Sequence, residues 1–265
     1  RRQRQMCIRD RYNMSYNSPV LIIDFDSYIY KAMTASKVLF PIEKNIYTEV
    51  FDLDKSLDFL DSEIDRLCST LLTNNFYLVV SDKDNFRKQL YPDYKSNRPA
   101  KPDIWYKLRE LVEKNFDLIS LPNLEGDDTC RVMFEDPAFH QGQKKILVTV
   151  DKDFYSFPCN VFRDLNNNND YEVISPEEAQ LFLFKQILTG DTCDGYKGIS
   201  NFGEKKFDKV CEEKILTYQS VKQLYLDNGL EETDFEKNRI LATIIGYNTV
   251  SYTHLRAHET VLDLV

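Results

Sequence analysis

Histidine is nearly absent from this 265-residue chain, which has only His140, His254 and His258. Chemistry that turns on a histidine base or a histidine-rich zinc site therefore has little material. The six cysteines, Cys7, Cys68, Cys130, Cys159, Cys193 and Cys211, are scattered without one Cys-x-x-Cys. That is neither a zinc pattern nor a disulfide framework, and it fits a reducing cytoplasm in which most thiols are small buried hydrophobes. No apolar run approaches the roughly 18 residues of a membrane span. The basic start RRQRQMCIRDRYN also lacks the apolar stretch of a secretory signal. Positive charge is scarce as well: 34 Lys and Arg stand against 43 Asp and Glu, a net of −9. A nucleic-acid binder normally shows a basic footprint, so here the acids must have a task of their own.

What is present is the composition of an ordinary folded protein, 42% hydrophobic, 13% aromatic and 29% charged. The length allows one sizeable core or a core with a small appended domain. Residues 1–13 and 251–265 are out of character with the rest. Both resemble translated sequencing-adapter sequence and are expected to be non-native, with Met14 opening a more convincing start; a basic arm and a short closing helix are the alternative. The ends carry six basic and three acidic residues, so the segment between them is more acidic still, at −12.

Short β-branched and aromatic runs recur at VLIIDF (20–25), FYLVVSD (76–82), FDLISLP (116–122) and KILVTVD (145–151). Between them, Leu53, Leu57, Leu60, Ile64, Leu67 and Leu71 fall at helical steps, and Ile104, Leu108, Leu111 and Val112 repeat the pattern. Ser175-Pro176-Glu177-Glu178 is a capping box with proline at the first helical position. Asn166–Asn169 reads as a polar hairpin tip. Alternating strands and helices predict an α/β fold with a central, mostly parallel sheet flanked by helices.

The apolar runs end beside acids: Asp24 and Asp26, Asp82 and Asp84, Asp151 and Asp153, with Glu125, Asp127 and Asp128 after the third. In open parallel sheets the carboxyl ends of the strands form the ligand crevice. Adding Asp191 and Asp194 of GDTCDG makes a gathering of carboxylates whose mutual repulsion calls for bound cations. Hard oxygen donors favour magnesium (Mg2+), with manganese (Mn2+) as a substitute, over zinc. Two such ions activate water and stabilise the leaving oxygen of a phosphodiester. Any single Asp-x-Asp is as readily a solvated turn or a helix cap; the repetition and order of the pairs carry the argument.

Residues 86–101 form a basic island in this acidic chain. Arg87, Lys88, Lys95, Arg98 and Lys101 stand against Asp93, with Phe86, Tyr91 and Tyr94 interleaved. The pattern suits a phosphate-contacting arm with stacking rings, or equally a solvated helix face with its aromatics turned inward. Further on, Gly198 and Gly203 precede Lys205 and Lys206. Glycines permit close backbone approach, and amides at a helix start bind phosphate.

The motifs IIDF (22–25), FRKQLYPDYKSNRPAKPD (86–103), LEGDD (124–128), VTVDKDF (148–154) and LTGDTCDGYKGISNFGEKK (188–206) occur in the order seen in flap endonucleases. The chain resembles their bacteriophage members and the 5′-nuclease domain of bacterial DNA polymerase I over residues 18–247. The resemblance implies a PIN-like nuclease core at 14–190 with a helical arch at about 84–114, then a helix–three-turn–helix DNA-binding region at 191–250 that often holds potassium (K+). It places Asp24, Asp82, Glu125 and Asp127 around a first metal and Asp128, Asp151, Asp153, Asp191 and Asp194 around a second. Lys95 and Arg98 would steady the scissile phosphate. Arg87, Lys88, Tyr94, Lys101, Gly198, Gly203, Lys205 and Lys206 join them as nucleic-acid contacts. The implied activity is 5′-3′ exonuclease or flap endonuclease, acting on DNA 5′ ends or flaps or on RNA–DNA hybrids. The implied protein is a monomer in a bacterial or phage-infected cytoplasm, alongside single-strand-binding or replisome proteins.

Two departures stand out. Phe25-Asp26 replaces the family's glycine and polar residue, so Asp26 is an extra ligand or a cap. Asp82 lies only four residues before Phe86, so Asp84 is a substitute candidate. Asp24-Phe25-Asp26-Ser27 also imitates the nucleophile motif of haloacid-dehalogenase-type phosphatases, but that reading leaves LEGDD and the basic island unexplained. A non-catalytic DNA-binding module is the other rival, although every acidic motif is present.

Overall fold

The computed structural model describes residues 18–44, 46–165 and 170–249. Both end segments and the expected hairpin tip Asn166–Asn169 lie outside them. Val20-Leu21-Ile22-Ile23 is the unbroken aliphatic run that a strand covered on both faces requires. It forms β1 (Val20–Asp24), with those four residues fully buried. The chain then turns into α1 (Asp26–Ala35), an exposed antiparallel hairpin of β2 (Lys37–Glu43) and β3 (Ile46–Phe51), and α2 (Leu53–Thr70). Asp52 caps α2 by accepting a hydrogen bond from Lys55 N at 3.1 Å. The predicted helical stripe Leu57, Leu60, Ile64 and Leu67 is the face α2 buries.

β4 (Asn75–Val79) pairs with β1 in parallel, and β5, reduced from the expected seven-residue run to Leu118–Ile119, pairs with β4. On the other side of β1 lie β6 (Lys145–Thr149) and then β7 (Cys159–Arg163), both parallel. β8 (Glu172–Ile174) closes the order β5-β4-β1-β6-β7-β8. The intervening helices are α3 (Phe86–Leu90), α4 (Asp103–Asn115) and α5 (Gly126–Glu135). Thus the α/β expectation, with a mostly parallel sheet flanked by helices, holds. The β2–β3 hairpin was not foreseen: Val38, Phe40, Ile42 and Tyr47 are all exposed, so no in–out alternation announces it.

The chain divides into two compact units. The first runs up to Asp82 and includes Ala100–Asp151 and Asn160–Glu172. Its core joins Leu21, Ile23 and Val148 of the sheet to Leu60 and Ile64 of α2 and Trp105, Leu108 and Val112 of α4. The second takes Lys83–Pro99, Lys152–Cys159 and the chain from Val173 on. It contains α6 (Pro176–Thr189), the small hairpin β9 (Gly190–Asp191) and β10 (Tyr196–Lys197), then α7 (Glu204–Glu213), α8 (Tyr218–Asp227) and α9 (Glu232–Ala242). The capping box at Ser175 starts α6 as the sequence predicts.

The division differs from the expected boundary at 190/191. Leu183, Phe184, Ile187 and Leu188 of α6 pack into the second unit's core with Tyr196, Phe207, Tyr225 and Phe235, so that unit begins before α6. The stretch expected as an arch is split as well. Residues 83–99 go with the second unit, while α4 is packed into the first unit's core.

Candidate metal centre

Parallel pairing in register brings the carboxyl ends of β4, β1 and β6 to one edge. Asp24 pairs with Val79, and Ile23 with Val148. Asp24 therefore ends β1, Asp82 lies just past β4, and Asp151 just past β6. β1 is also where the strand order reverses, with β4 on one side and β6 on the other, which is the place open α/β sheets use for ligands.

The N-terminus of α5 supplies the tightest group. Glu125, Asp127 and Asp128 each present a carboxylate oxygen within 4.8 Å of the others. Asp128 is fully buried, accepts a hydrogen bond from Glu125 N at 3.1 Å, and donates its own N–H to Asp127 Oδ1 at 2.8 Å. A helix start tolerates acids through its dipole and exposed amides, which explains why LEGDD falls there. A Cβ on Gly126 would lie 3.5 Å from Asp24 Oδ1, so the first turn of α5 rests against Asp24. The donors are all carboxylate oxygens, a hard set suited to magnesium or manganese.

Several supporting residues escaped the sequence reading. Thr149, fully buried, donates its hydroxyl to Asp24 Oδ2 at 3.1 Å and accepts the Asp151 N–H at 3.0 Å, joining two of the acidic motifs. Asn123 N donates to Asp82 Oδ2 at 2.7 Å, while Asp84 is exposed. Ser81 Oγ accepts from Gly126 N at 3.0 Å. Asp26 accepts from Ser81 N at 2.7 Å and from Arg109 Nη1 at 2.9 Å. A threonine in a strand reads simply as a β-former, so the only clue to Thr149 was its place two residues before Asp151. The buried Cys130 thiol registers the local field: burial first, then Asp24, Asp127, Asp26 and Asp128, hold its pKa well above the usual thiol range.

The second unit gathers the remaining acids. Gln186 Nε2 donates to Asp153 Oδ1 at 2.7 Å, and Lys152 Nζ lies 3.9 Å from Asp191 Oδ2. Asp191 Oδ1 accepts the backbone N–H of Cys193 at 2.7 Å. Asp194, 8% exposed, is met by the Arg98 guanidinium, by Lys95 Nζ at 3.7 Å and by the Tyr94 hydroxyl at 3.1 Å. Lys95 N donates to Asp194 O at 2.8 Å, and Asn97 Nδ2 to Thr192 O at 2.6 Å. The cations expected at a scissile phosphate therefore sit on a carboxylate expected at a metal. Burial pushes the Tyr196 phenol pKa upward, and Asp191, Asp153 and Asp194 add to it.

The expected nucleic-acid contacts divide by exposure. Lys88, Lys205 and Lys206 are exposed, Arg98 is half-exposed, and Lys101, also exposed, places Nζ 3.5 Å from the centre of the Trp105 ring. Two are placed otherwise. Arg87 is 1% exposed, with Nη2 donating to Thr243 O at 2.5 Å, so it braces the chain after α9. The Tyr94 ring is buried in the second core, where no base can stack on it. Gly198 faces inward too: a Cβ there would lie 2.2 Å from Leu188 O, so it serves the approach of β10 to the end of α6. Gly203 caps α7 in open space.

An α/β sheet with a carboxylate cluster beside its reversal point is the arrangement of a candidate divalent-metal centre. The chain belongs to the family described as 5′-3′ exonuclease, N-terminal resolvase-like domain, whose model matches residues 19–181. Among curated relatives, the exodeoxyribonuclease of Enterobacteria phage T3 is 29% identical over 193 residues, covering 70% of this chain and 64% of its own length. The exonuclease of Escherichia phage T7 is 28% identical over 197 residues, covering 71% and 65%. The chain thus spans just under two thirds of the length of these phage proteins. Among solved structures, a bacteriophage T5 flap endonuclease in complex with DNA and metal ions aligns with a TM-score of 0.58 at 16% identity, over 92% of this chain and 95% of that one. At that identity the likeness is one of fold. No helix among the described residues is long and apolar enough to cross a membrane.

Proposed function

We propose that the chain is a divalent-metal-dependent 5′-nuclease that hydrolyses phosphodiester bonds at 5′ ends or flaps of DNA. The observation that carries this reading is the grouping of Glu125, Asp127 and Asp128 within 4.8 Å at the start of α5, on a chain whose family and phage relatives are exonucleases by name. Asp24, Asp82, Glu125 and Asp127 would hold one magnesium or manganese ion. Asp128, Asp151, Asp153, Asp191 and Asp194 are the candidates for a second. Such ions lower the pKa of water and stabilise charge on the phosphate and leaving oxygens.

The chain's own residues orient and neutralise. Thr149 fixes the Asp24 carboxylate, and Lys95 and Arg98 would transfer from Asp194 to the scissile phosphate. Lys88, Lys101, Lys205 and Lys206 would follow the backbone of the nucleic acid. Residues 191–250 are proposed as a helix–three-turn–helix region gripping duplex DNA with potassium, with RNA–DNA hybrids as a further substrate. A monomer working in a bacterial or phage-infected cytoplasm beside replisome proteins completes the proposal. The phosphatase alternative needs Asp26 as a proton donor, yet both its oxygens accept hydrogen bonds from the chain itself.

The test is cleavage of an end-labelled 5′-flap DNA with magnesium, with manganese and with chelator. Metal-dependent cutting near the junction, lost in Asp151→Ala, is the expected result. Tight flap binding without cutting would make the chain a binding module instead.

A further inference from the structure

We infer that Asp26 and Arg109 are a positioning pair for the metal centre, and that Asp26 stands outside the ligand set. The inference rests on the nuclease reading for what is positioned, but its evidence is geometric. Asp26 is the first residue of α1, immediately beyond the strand that ends in Asp24. Its Oδ2 accepts from Ser81 N at 2.7 Å and its Oδ1 from Arg109 Nη1 at 2.9 Å, with 21% of the Asp26 side chain and 15% of Arg109 exposed.

Arg109 is itself oriented from α4. Its Nε donates to Glu113 Oε1 at 3.0 Å, and its Nη2 reaches Ser81 O at 3.4 Å. The pair thus holds Ser81 through both its N–H and its C=O. Ser81 passes this on in two directions. Its hydroxyl accepts from Gly126 N at 3.0 Å, placing the turn of α5 that carries Asp127 and Asp128, and the next residue is Asp82. Asp82 N in turn donates to Leu124 O at 3.0 Å, one residue before Glu125.

One carboxylate and one guanidinium therefore set the relative places of three acidic motifs. A guanidinium suits this task because its planar fork engages carboxylate and carbonyl together. A carboxylate already engaged by both oxygens, one to a cation, is a poor donor to a second cation.

Calorimetric titration of the whole chain with manganese alone, without DNA, tests the assignment on wild type, Asp26→Asn, Arg109→Gln and the double variant. Each temperature should lie well below the variant's own melting point. Loss of an outer support lowers metal affinity about tenfold, so both single variants should bind manganese about tenfold more weakly, at unchanged stoichiometry. The double variant should match them rather than multiply the losses, because the two residues act as one unit. Arg109→Lys should recover part of the affinity.

If Asp26 is a ligand, Arg109→Gln frees it and tightens manganese while Asp26→Asn weakens it; that opposite sign overturns the inference. Unchanged affinity in both variants, with only a lower melting temperature, overturns it too. A wild-type chain that binds manganese but cuts no flap would defeat the nuclease reading while these isotherms still decide the place of Asp26.

Discussion

The two units hold the acids expected to bind metal in different ways. In the first, Asp24 is steadied by the Thr149 hydroxyl, Asp82 by the Asn123 amide and Asp128 by the Glu125 amide. Bonds of this kind fix where a carboxylate points without cancelling its charge. In the second, Asp194 is met directly by Lys95 and Arg98, and Asp191 faces Lys152. The first pattern keeps a field that a divalent ion can answer; the raised Cys130 thiol registers burial first and then that field. The second sets two cations directly on one nearly buried carboxylate. The difference teaches that a count of acids does not locate a metal site; the partners of each acid do.

The largest expected effect breaks the comparison on the first side. Asp127→Ala should lower flap cleavage about 10³-fold, the several kcal/mol of charge stabilisation that a metal supplies, and should cost up to about 1 kcal/mol of stability because it also removes the acceptor of the Asp128 N–H. Asp128→Ala should be as inactive and also less stable by about 1 kcal/mol, the usual worth of a helix-cap bond, because it removes the acceptor of Glu125 N. Cleavage kinetics beside thermal unfolding separate the loss of activity from the loss of stability. Full activity in Asp127→Ala would transfer the metal role to the second unit's acids.

A smaller effect sharpens the second side. Asp194→Asn removes the shared anchor of Lys95, Arg98 and Tyr94. Charge-assisted bonds contribute roughly 1.5–3 kcal/mol each, but Arg98 is half-exposed and its share is screened. The 93–98 turn should therefore open about tenfold more often, at the lower end of that range. Limited trypsin digestion reads this directly, because the turn offers the Lys95–Ser96 bond as a cleavage point, whereas Pro99 protects the bond after Arg98. An unchanged digestion rate would mean the turn is held by Asn97 and the Lys95 backbone, with Asp194 a bystander.

The same contrast explains what the sequence disclosed. Strand runs and helical stripes announced β1, β4, β6, α2 and α4, because burial on one face or two imposes a period, and the capping box at Ser175 announced the start of α6. Asp24, Asp82 and Asp151 were legible since each lies at or just past the end of a strand, and parallel pairing brings those ends to one edge. Thr149 and Ser81 were not, because their importance is a hydrogen bond to a residue far away in the chain. Arg87 and Tyr94 misled for a related reason. A basic, aromatic segment looks like a nucleic-acid arm whichever way it faces, and only packing shows that these two side chains turn inward. The boundary at Glu172/Val173 was hidden because the apolar residues of α6 would look the same packed on either core.

The smallest effect concerns the start of α7. Gly203 has ordinary extended backbone at φ −95°, and a Cβ there meets nothing within 4 Å. Neither strain nor crowding requires glycine at this cap, where serine is ordinarily preferred. What glycine provides is bare amides at a helix start, the feature a phosphate uses. Gly203→Ser should accordingly leave the melting temperature unchanged or slightly raised, whereas Gly203→Ala should cost under about 1 kcal/mol. Gly203→Ser, whose hydroxyl can occupy one of those amides, should weaken duplex binding a few-fold, by roughly the free energy of one neutral hydrogen bond, whereas Gly203→Ala leaves them bare and should bind as wild type does, as measured by fluorescence anisotropy at fixed salt. If Gly203→Ser binds duplex as tightly as wild type, the cap chemistry is all that matters and the phosphate approaches elsewhere, with exposed Lys205 and Lys206 as the next positions to vary.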